Sequence, residues 1–284
     1  MFVHDKDTPQ RFELPNVPGI VSSTVLLIFS FISLFISFPI FSSFIKDDIL
    51  VAQLSGLSMN IIFLGFCIWL RHRKSQSIYE WSNAKSPGFY LILLTFGFFI
   101  GEVLLGFCTA APLSHLLEAF SPLPITSSTE TVKLNIIHFL LLALVAPCLE
   151  EITYRGLVLQ SFLTRYRKSI AIISNIIIFT SLHGFGSQTP SQIVVAAALC
   201  SIFVATNSIV LCILLHILHN SLLFMADIQD VKYTLISKQL SYFKVLSFHN
   251  IEYWLYTFIG TVFLVGCFYL MIKIVYALFG EEAR

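Results

Sequence analysis

The sequence predicts an all-α protein, a polytopic transmembrane helical bundle of about eight spans. Of its 284 residues, 56% are hydrophobic and 12% are charged, and the mean hydropathy is +0.84. This composition is too apolar for a soluble globular domain. Several apolar stretches also reach the length of about 20 residues that a helix needs to cross a bilayer. Short polar, basic or proline-containing segments separate these stretches, so the chain is expected to cross the membrane many times.

The same composition argues against several other classes of protein. The net charge of +1 and the lack of a basic run with interleaved aromatic residues argue against nucleic acid binding. The six cysteines lie in apolar stretches without CxxC or Cys/His ligand spacing, which predicts small buried hydrophobes rather than disulfides or thiol catalysis. Residues 1–18 lack the pattern of a cleavable signal peptide and are predicted to be a soluble N-terminal lead.

The segment 19–132 is predicted to hold the N-terminal transmembrane helices and a loop. The third span is expected to end at Pro112. The following segment, 112–132, is rich in proline, serine and threonine and is expected to be a long loop with a short surface helix over residues 114–120. The three spans of this region are predicted over residues 20–45, 50–70 and 89–111.

The segment 133–227 is predicted to form a core region. It begins with a long helix over residues 133–163 that carries two adjacent glutamates near its middle. Residues 228–284 are assigned to an outer loop and a last span over residues 254–278. The spans that follow the glutamate helix within the core are predicted over residues 169–183, 192–205 and 207–226.

The distribution of lysine and arginine predicts the orientation. With the N-terminus in the cytoplasm, the basic clusters at residues 71–74 and 165–168 both face the cytoplasm, and so does the C-terminus. We therefore predict a multi-pass integral membrane protein with both termini cytoplasmic, located in the plasma (inner) membrane if the organism is bacterial. No internal repeat is evident, which weakens a transporter interpretation.

Glu150 and Glu151 are the residues on which the functional prediction depends. Ionisable groups in apolar surroundings persist mainly where they pair or do chemistry. Residues four apart share a helix face, so Glu151 is expected to pair with Arg155. Glu150 is rotated by about 100° and has no cation at that spacing, so it is free to act as a general base. The alternative is a cluster of charged side chains that snorkel at a helix end.

Three further polar residues are predicted to lie at the depth of Glu150. Measured from the basic turn at 165–168, Glu150 lies roughly 22 Å and His183 roughly 21 Å into the membrane. Counted from the next predicted inner turn, His216 lies at roughly 14 Å and Asn220 at roughly 20 Å. His216 and Asn220 are four residues apart and therefore share a face. This coincidence favours a buried polar site.

Other polar residues in the spans are interpreted differently. Glu102 lies inside the third span and is interpreted as a packing residue hydrogen-bonded to other helices rather than as a catalytic acid. His138 is about three turns from the glutamates and is interpreted as structural. His219 lies on a neighbouring part of the helix surface that carries His216.

The polar residues resemble the motifs of the CPBP intramembrane proteases. This family contains the CAAX prenyl endopeptidase, or CAAX prenyl protease 2, and many bacterial Abi-type proteins. The resemblance covers roughly residues 134–224. It rests on three motifs in order: EExxxR at Glu150, Glu151 and Arg155; FxxxH at Phe179 and His183; and HxxxN at His216 and Asn220.

The resemblance implies an intramembrane endopeptidase whose catalytic core is the segment 133–227. Glu150 would activate a water molecule, helped by His183, while His216 and Asn220 would hold or stabilise the oxyanion. The second glutamate and the arginine of the first motif would brace the helix. Amide and imidazole N–H groups suit a developing oxyanion, and a Glu–His pair can carry a proton to the leaving amine. The expected partners are membrane lipid and a peptide, lipidated protein or membrane protein substrate.

Three questions stay open at this point. We expect no cofactor, but the alternative is a zinc ion held by Glu150, His183 and His216 with an open position for water; the HExxH spacing is absent. The chain could also be a non-catalytic membrane immunity or scaffold protein whose polar cluster binds a partner helix. A third hypothesis is a proton-coupled carrier that uses the same side chains as a relay.

Overall fold

The computed structural model describes residues 19–72, 88–120, 136–183, 189–227 and 251–279, which form eight helices. Within these ranges all regular structure is helical, so the predicted all-α class is confirmed. In chain order the helices are α1 (Ile20–Phe44), α2 (Asp48–His72), α3 (Phe89–Phe120), α4 (Ile136–Arg165), α5 (Lys168–Leu182), α6 (Thr189–Thr206), α7 (Ile209–Asp227) and α8 (Ile251–Phe279).

Five of the described helices, α1 to α4 and α8, are long and apolar enough to cross a membrane. The other three are apolar but shorter. Helix α5, for example, has 15 residues and a length of about 22 Å, against a hydrocarbon core of about 30 Å. The chain is therefore an integral membrane protein, and eight described helices agree with the predicted polytopic bundle.

Helix α3 is longer than predicted. It continues through Pro112 to Phe120, so the predicted end at that proline was wrong. A proline inside a transmembrane helix is tolerated because neighbouring groups can satisfy the freed backbone carbonyl. The expected surface helix over 114–120 is the last part of α3. The remaining expectations for residues 1–18, 121–135 and 228–250 lie outside the described residues.

Helix α4 is the centre of the bundle. It contacts α2, α5, α6 and α7, and every residue from Thr153 to Leu159 is buried. Tyr154 lies between two aromatic rings of neighbouring helices, with centroid distances of 5.7 Å to Phe63 and 5.4 Å to Phe179. Helices α1 and α8 pack at the periphery, α1 on α2 and α8 on α3 and α6.

The peripheral helices expose large apolar side chains. Phe35 of α1 is 77% exposed and Phe258 of α8 is 67% exposed. In a bilayer such side chains contact lipid tails, which are as apolar as the protein interior. The exposed apolar faces of α1 and α8 are therefore consistent with an outer position in a membrane-embedded bundle.

Glycines allow α3 and α8 to pack closely. A Cβ atom at Gly101 would lie 2.7 Å from the backbone nitrogen of Leu264, and one at Gly97 would lie 2.6 Å from Cys267 Sγ. Two small residues four apart on one helix are a common means of close helix contact in membranes. The contact attaches the last helix to the third, outside the segment 133–227.

Two stretches of α4, Leu140–Val145 and Ile152–Leu159, have π-helical hydrogen bonding. Such stretches widen the helix and change which backbone groups are free to bind other partners. In the second stretch, the carbonyl of Tyr154 accepts a hydrogen bond of 2.9 Å from Asn175 Nδ2 of α5. A polar side chain of a neighbouring helix is thus bound to the backbone of α4.

The two ends of the bundle agree with the relative sidedness that the sequence predicts. The N–H of Ile20, at the start of α1, donates to the hydroxyl of Tyr166 in the 165–168 turn at 3.3 Å. At the opposite end, Asp47 Oδ2 lies 3.2 Å from His138 Nε2. The start of α1 and the basic turn therefore share one end of the bundle. The assignment of that end to the cytoplasm stays a prediction.

All six cysteines lie within the described helices and are free thiols. Cys67, Cys108, Cys200 and Cys212 are buried, and the other two are partly buried. The prediction that these residues serve as small buried hydrophobes rather than as a disulfide framework is confirmed.

Candidate active site

A cavity of about 330 Å³ opens between α2, α4, α5 and α7, and Glu150, His183 and Asn220 line it. This volume is at the lower end of the range of about 300–1,000 Å³ found for ligand pockets. Each of the three residues comes from a different segment, and the sequence predicted all three as site residues. Most of the remaining wall is apolar and includes Leu57, Met59, Leu141, Leu182 and Leu223.

Glu150 is the acid at the cavity wall. The residue is 9% exposed, and its Oε1 atom accepts a hydrogen bond of 3.2 Å from Asn60 Nδ2 of α2. Its Oε2 atom lies 3.8 Å from His216 Nε2, which is beyond hydrogen-bond distance. One carboxylate oxygen is thus held by a neutral donor and the other faces an imidazole.

Glu151 joins α4 to α7. Its Oε1 atom accepts from Arg155 Nη1 at 2.7 Å, so the predicted ion pair is present, and it lies 2.8 Å from His216 Nδ1. Because a carboxylate oxygen only accepts hydrogen bonds, His216 must donate from Nδ1. The hydrogen bond therefore fixes the orientation of the ring and points Nε2 towards Glu150.

The guanidinium of Arg155 is fully buried, which is costly unless its N–H groups are bound. Besides Glu151, the group donates from Nη2 to the carbonyl of Ala196 at 3.4 Å and lies 4.3 Å from the centroid of the Phe179 ring. These contacts link α4 to α5 and α6. The pair thus does more than brace its own helix, because it connects α4 to α5, α6 and α7.

His183 lies at the C-terminal end of α5 and is positioned by its own helix. Its Nδ1 atom is 3.0 Å from the carbonyl of Phe179, and the two rings are 4.7 Å apart. Since a carbonyl accepts, Nδ1 carries the proton and Nε2 has the free lone pair when the ring is neutral. The ring can therefore take up a proton at Nε2 from a group in the cavity.

Asn220 of α7 is held by the first π-helical stretch of α4. In this stretch an N–H bonds to the carbonyl five residues earlier, as the N–H of Ala146 does to Leu141 O. At the same spacing Leu142 O would accept from residue 147, but this residue is Pro147, which has no N–H. Asn220 Nδ2 donates to this carbonyl at 2.9 Å. An amide nitrogen carries two hydrogens, so a second donor stays available at the cavity.

Sequence reasoning missed the contribution of α2. The first three spans contain no family motif, yet Asn60 binds Glu150, and Gln53 also lines the cavity. The segment 133–227 therefore does not supply the whole site. The signal that could have pointed to Asn60 is weak: it is a carboxamide in the middle of an apolar span, where polar side chains usually face the bundle interior.

A second acid–imidazole pair lies elsewhere on α7. Glu102 of α3 is fully buried, and its Oε2 atom is 3.0 Å from His219 Nδ1. Neither residue lines the cavity described above. The predicted hydrogen bond from Glu102 to another helix is confirmed, since its partner His219 belongs to α7.

The zinc alternative for Glu150, His183 and His216 stays a prediction. Among the described residues, no group of three or more His, Cys, Asp or Glu side chains is placed to hold a metal ion. The Nδ1 atoms of both histidines are bonded, to Phe179 O and Glu151, and their Nε2 atoms are directed away from these partners. The polar groups that these residues bring to the cavity are a carboxylate, an imidazole and a carboxamide.

The family comparison matches the region that holds these side chains. Residues 132–222 match the family model described as type II CAAX prenyl endopeptidase, Rce1-like. The match covers α4 to α6, most of α7 and all motif residues of the site, whereas α1 to α3 and α8 lie outside it. No curated protein and no solved structure matched the chain. The match supports the assignment of residues 132–222 to the CPBP/CAAX protease family.

Proposed function

We propose that this chain is an intramembrane endopeptidase that hydrolyses a peptide bond with a water molecule activated by Glu150. The observation that carries the proposal is the meeting of Glu150, His183 and Asn220, from three segments, at one cavity inside an apolar bundle. The family match to CAAX prenyl endopeptidases supports peptidase chemistry at this site.

In the first step, Glu150 accepts a proton from the water while the water oxygen attacks the scissile carbonyl. The Asn60 hydrogen bond orients the carboxylate at Oε1. A positioned base of this kind contributes about 10²–10⁴-fold to a rate. The new C–O bond converts the carbonyl oxygen to an oxyanion.

Asn220 stabilises that oxyanion with the amide hydrogen that Leu142 O does not use. A fixed N–H donor in a water-poor site is effective because it needs little reorganisation as charge develops. The sequence assigned His216 to the same task. Its bond to Glu151 supports a different task, which is to hold Glu151 in place beside Glu150.

In the second step, the C–N bond breaks and the leaving nitrogen receives the proton that the water lost. His183 can carry this proton because its Nε2 has a free lone pair when the ring is neutral. The products are a carboxylic acid and an amine, which become a carboxylate and an ammonium group when the acid proton passes to the amine, and Glu150 returns to its starting state. One water is consumed for each bond cleaved, and no further reactant is needed.

The mainly apolar cavity wall fits an apolar or lipid-modified part of a substrate better than a charged one. The substrate class that we propose is therefore a peptide at or within the membrane. A prenylated C-terminal peptide is the form that the family description indicates. Membrane lipid is the second expected partner.

The test is proteolysis by the purified protein in detergent, with prenylated and plain peptides of the same sequence. We expect cleavage by the wild type and none by Glu150→Ala or His183→Ala. The matched control is Glu102→Gln, which changes a buried acid away from the cavity and should keep activity. Equal cleavage by the wild type and both site variants would contradict the proposal.

A parallel reaction with a chelator should proceed at the same rate as the reaction without it. Inhibition by the chelator would favour the zinc alternative.

A further inference from the structure

The contact between Asn60 and Glu150 joins two parts of the chain that the sequence treated separately. Asn60 belongs to α2, outside the family match, and is 5% exposed. Its Nδ2 atom donates to Glu150 Oε1 at 3.2 Å, and the residue lines the cavity. A neutral amide therefore binds the acid that the proposed mechanism uses as its base.

The other end of the same carboxamide has no partner. Asn60 Oδ1 is buried and accepts no hydrogen bond from any described residue. A buried acceptor left unpaired loses its bond to water without compensation, so a side chain that only supported Glu150 would be unfavourable here. A water molecule in a polar part of a cavity can satisfy such an atom.

The helix that carries Asn60 is fixed against α4 near this contact. Phe63, one turn further along α2, stacks on Tyr154 of α4 with a centroid distance of 5.7 Å. Tyr154 is one turn from Glu150 on α4. A polar group on a packed helix is held more firmly than one on a loop, so Asn60 is suited to positioning a reacting group.

We propose that Asn60 is a further catalytic residue, which orients Glu150 through Nδ2 and binds the hydrolytic water through Oδ1. This inference rests on the proposed function. The water donates one O–H to Glu150 and the other to Asn60, and the lone pair of its oxygen is left to attack the carbonyl. The proton given to Glu150 later reaches the leaving amine, so Asn60 binds the water without gaining or losing a proton.

The kinetic test compares Asn60→Leu, which has a similar size and no polar atom, with Asn60→Asp, which keeps an acceptor and loses the N–H donor. We expect Asn60→Leu to lower kcat by about 10²-fold, as for the loss of a positioned polar group, with little change in KM. Asn60→Asp places a second carboxylate beside Glu150. Because like charges disfavour each other's ionisation, we expect the pH–rate profile of this variant to move to higher pH than that of the wild type. The control is Ser55→Ala, a buried residue of α2 whose hydroxyl binds its own helix.

An activity-independent measurement separates this inference from the proposed function. Carbodiimides label protonated buried carboxyl groups, and a donor to the carboxylate disfavours that form. Asn60→Leu should therefore be labelled faster at Glu150, measured by peptide mass spectrometry, while labelling of Glu102 stays unchanged. If the wild type cleaves peptides but Asn60→Leu has wild-type kcat and labelling, the role of Asn60 is wrong and the proposed function stands. If the wild type cleaves no peptide, the proposed function fails. If Glu150 is also labelled at the same rate in Asn60→Leu as in the wild type, the contact between Asn60 and Glu150 is wrong as well.

Discussion

Two acid–imidazole pairs attach α7 to its neighbours, and they differ in what surrounds them. Glu151 and His216 are 2.8 Å apart, and Glu102 and His219 are 3.0 Å apart. Both carboxylates are fully buried. Neither pair lines the cavity, but His216 of the first pair lies 3.8 Å from a second acid, Glu150, which does. Burial of an ionisable pair therefore does not identify a site; an acid that reaches a cavity does.

The largest expected difference is between the two acids Glu150 and Glu102. Glu150→Gln should lower the rate of peptide cleavage by about 10²–10⁴-fold because it removes the general base. Glu102→Gln should leave the rate within a factor of about three, since its partner His219 is away from the reacting atoms. Initial rates with one peptide substrate measure both. Equal losses in the two variants would remove the distinction between the pairs.

Removal of Glu151 should cost the most stability. Glu151→Ala leaves Arg155 buried without its main partner, and breaking such a pair costs about 3–5 kcal/mol. The double variant Glu151→Leu/Arg155→Leu should recover most of this loss because no unpaired charge is left. Thermal unfolding in detergent gives the comparison. A single variant as stable as the wild type would show that the pair has no structural role.

The two asparagines that bind the backbone of α4 allow a finer comparison. Asn220→Leu and Asn175→Leu each leave a buried carbonyl unpaired, so both should lose about 1–3 kcal/mol of stability. Asn220→Leu should also lower kcat by about 10²-fold, because it removes the oxyanion donor. The two variants should therefore have similar unfolding temperatures but different cleavage rates. A similar kcat for both would contradict the task given to Asn220.

The smallest effect is expected at the pair formed by Glu102 and His219. A double-mutant cycle with Glu102→Gln and His219→Gln should give an interaction energy of about 1 kcal/mol, typical of hydrogen bonds between membrane helices. Cleavage should be unaffected in all three variants. Unfolding measurements provide the cycle, and a strong loss of activity in His219→Gln would extend the site beyond the cavity described.

The sequence predicted the site well where helix geometry was sufficient. The four-residue spacing of Glu151 and Arg155 predicted their contact, and depth estimates predicted the meeting of Glu150, His183 and Asn220. Both follow from the regular rise and rotation of a helix.

Features that depend on tertiary contact were not predictable in this way. Asn60 is one of several polar residues in an apolar span, and nothing in the sequence says which helix α2 faces. The bond from Asn220 to Leu142 O depends on a π-helical register next to Pro147. Helix α3 continues through Pro112 to Phe120, although a proline usually ends or kinks a helix.

A single-turnover cleavage in water enriched in heavy oxygen tests the central claim most directly. With enzyme in excess over peptide, direct attack by a Glu150-activated water predicts one heavy oxygen in the new carboxylate of the product and none in Glu150. A product free of heavy oxygen, with the label in the Glu150 side chain, would show that the carboxylate itself attacks the substrate and would contradict the account.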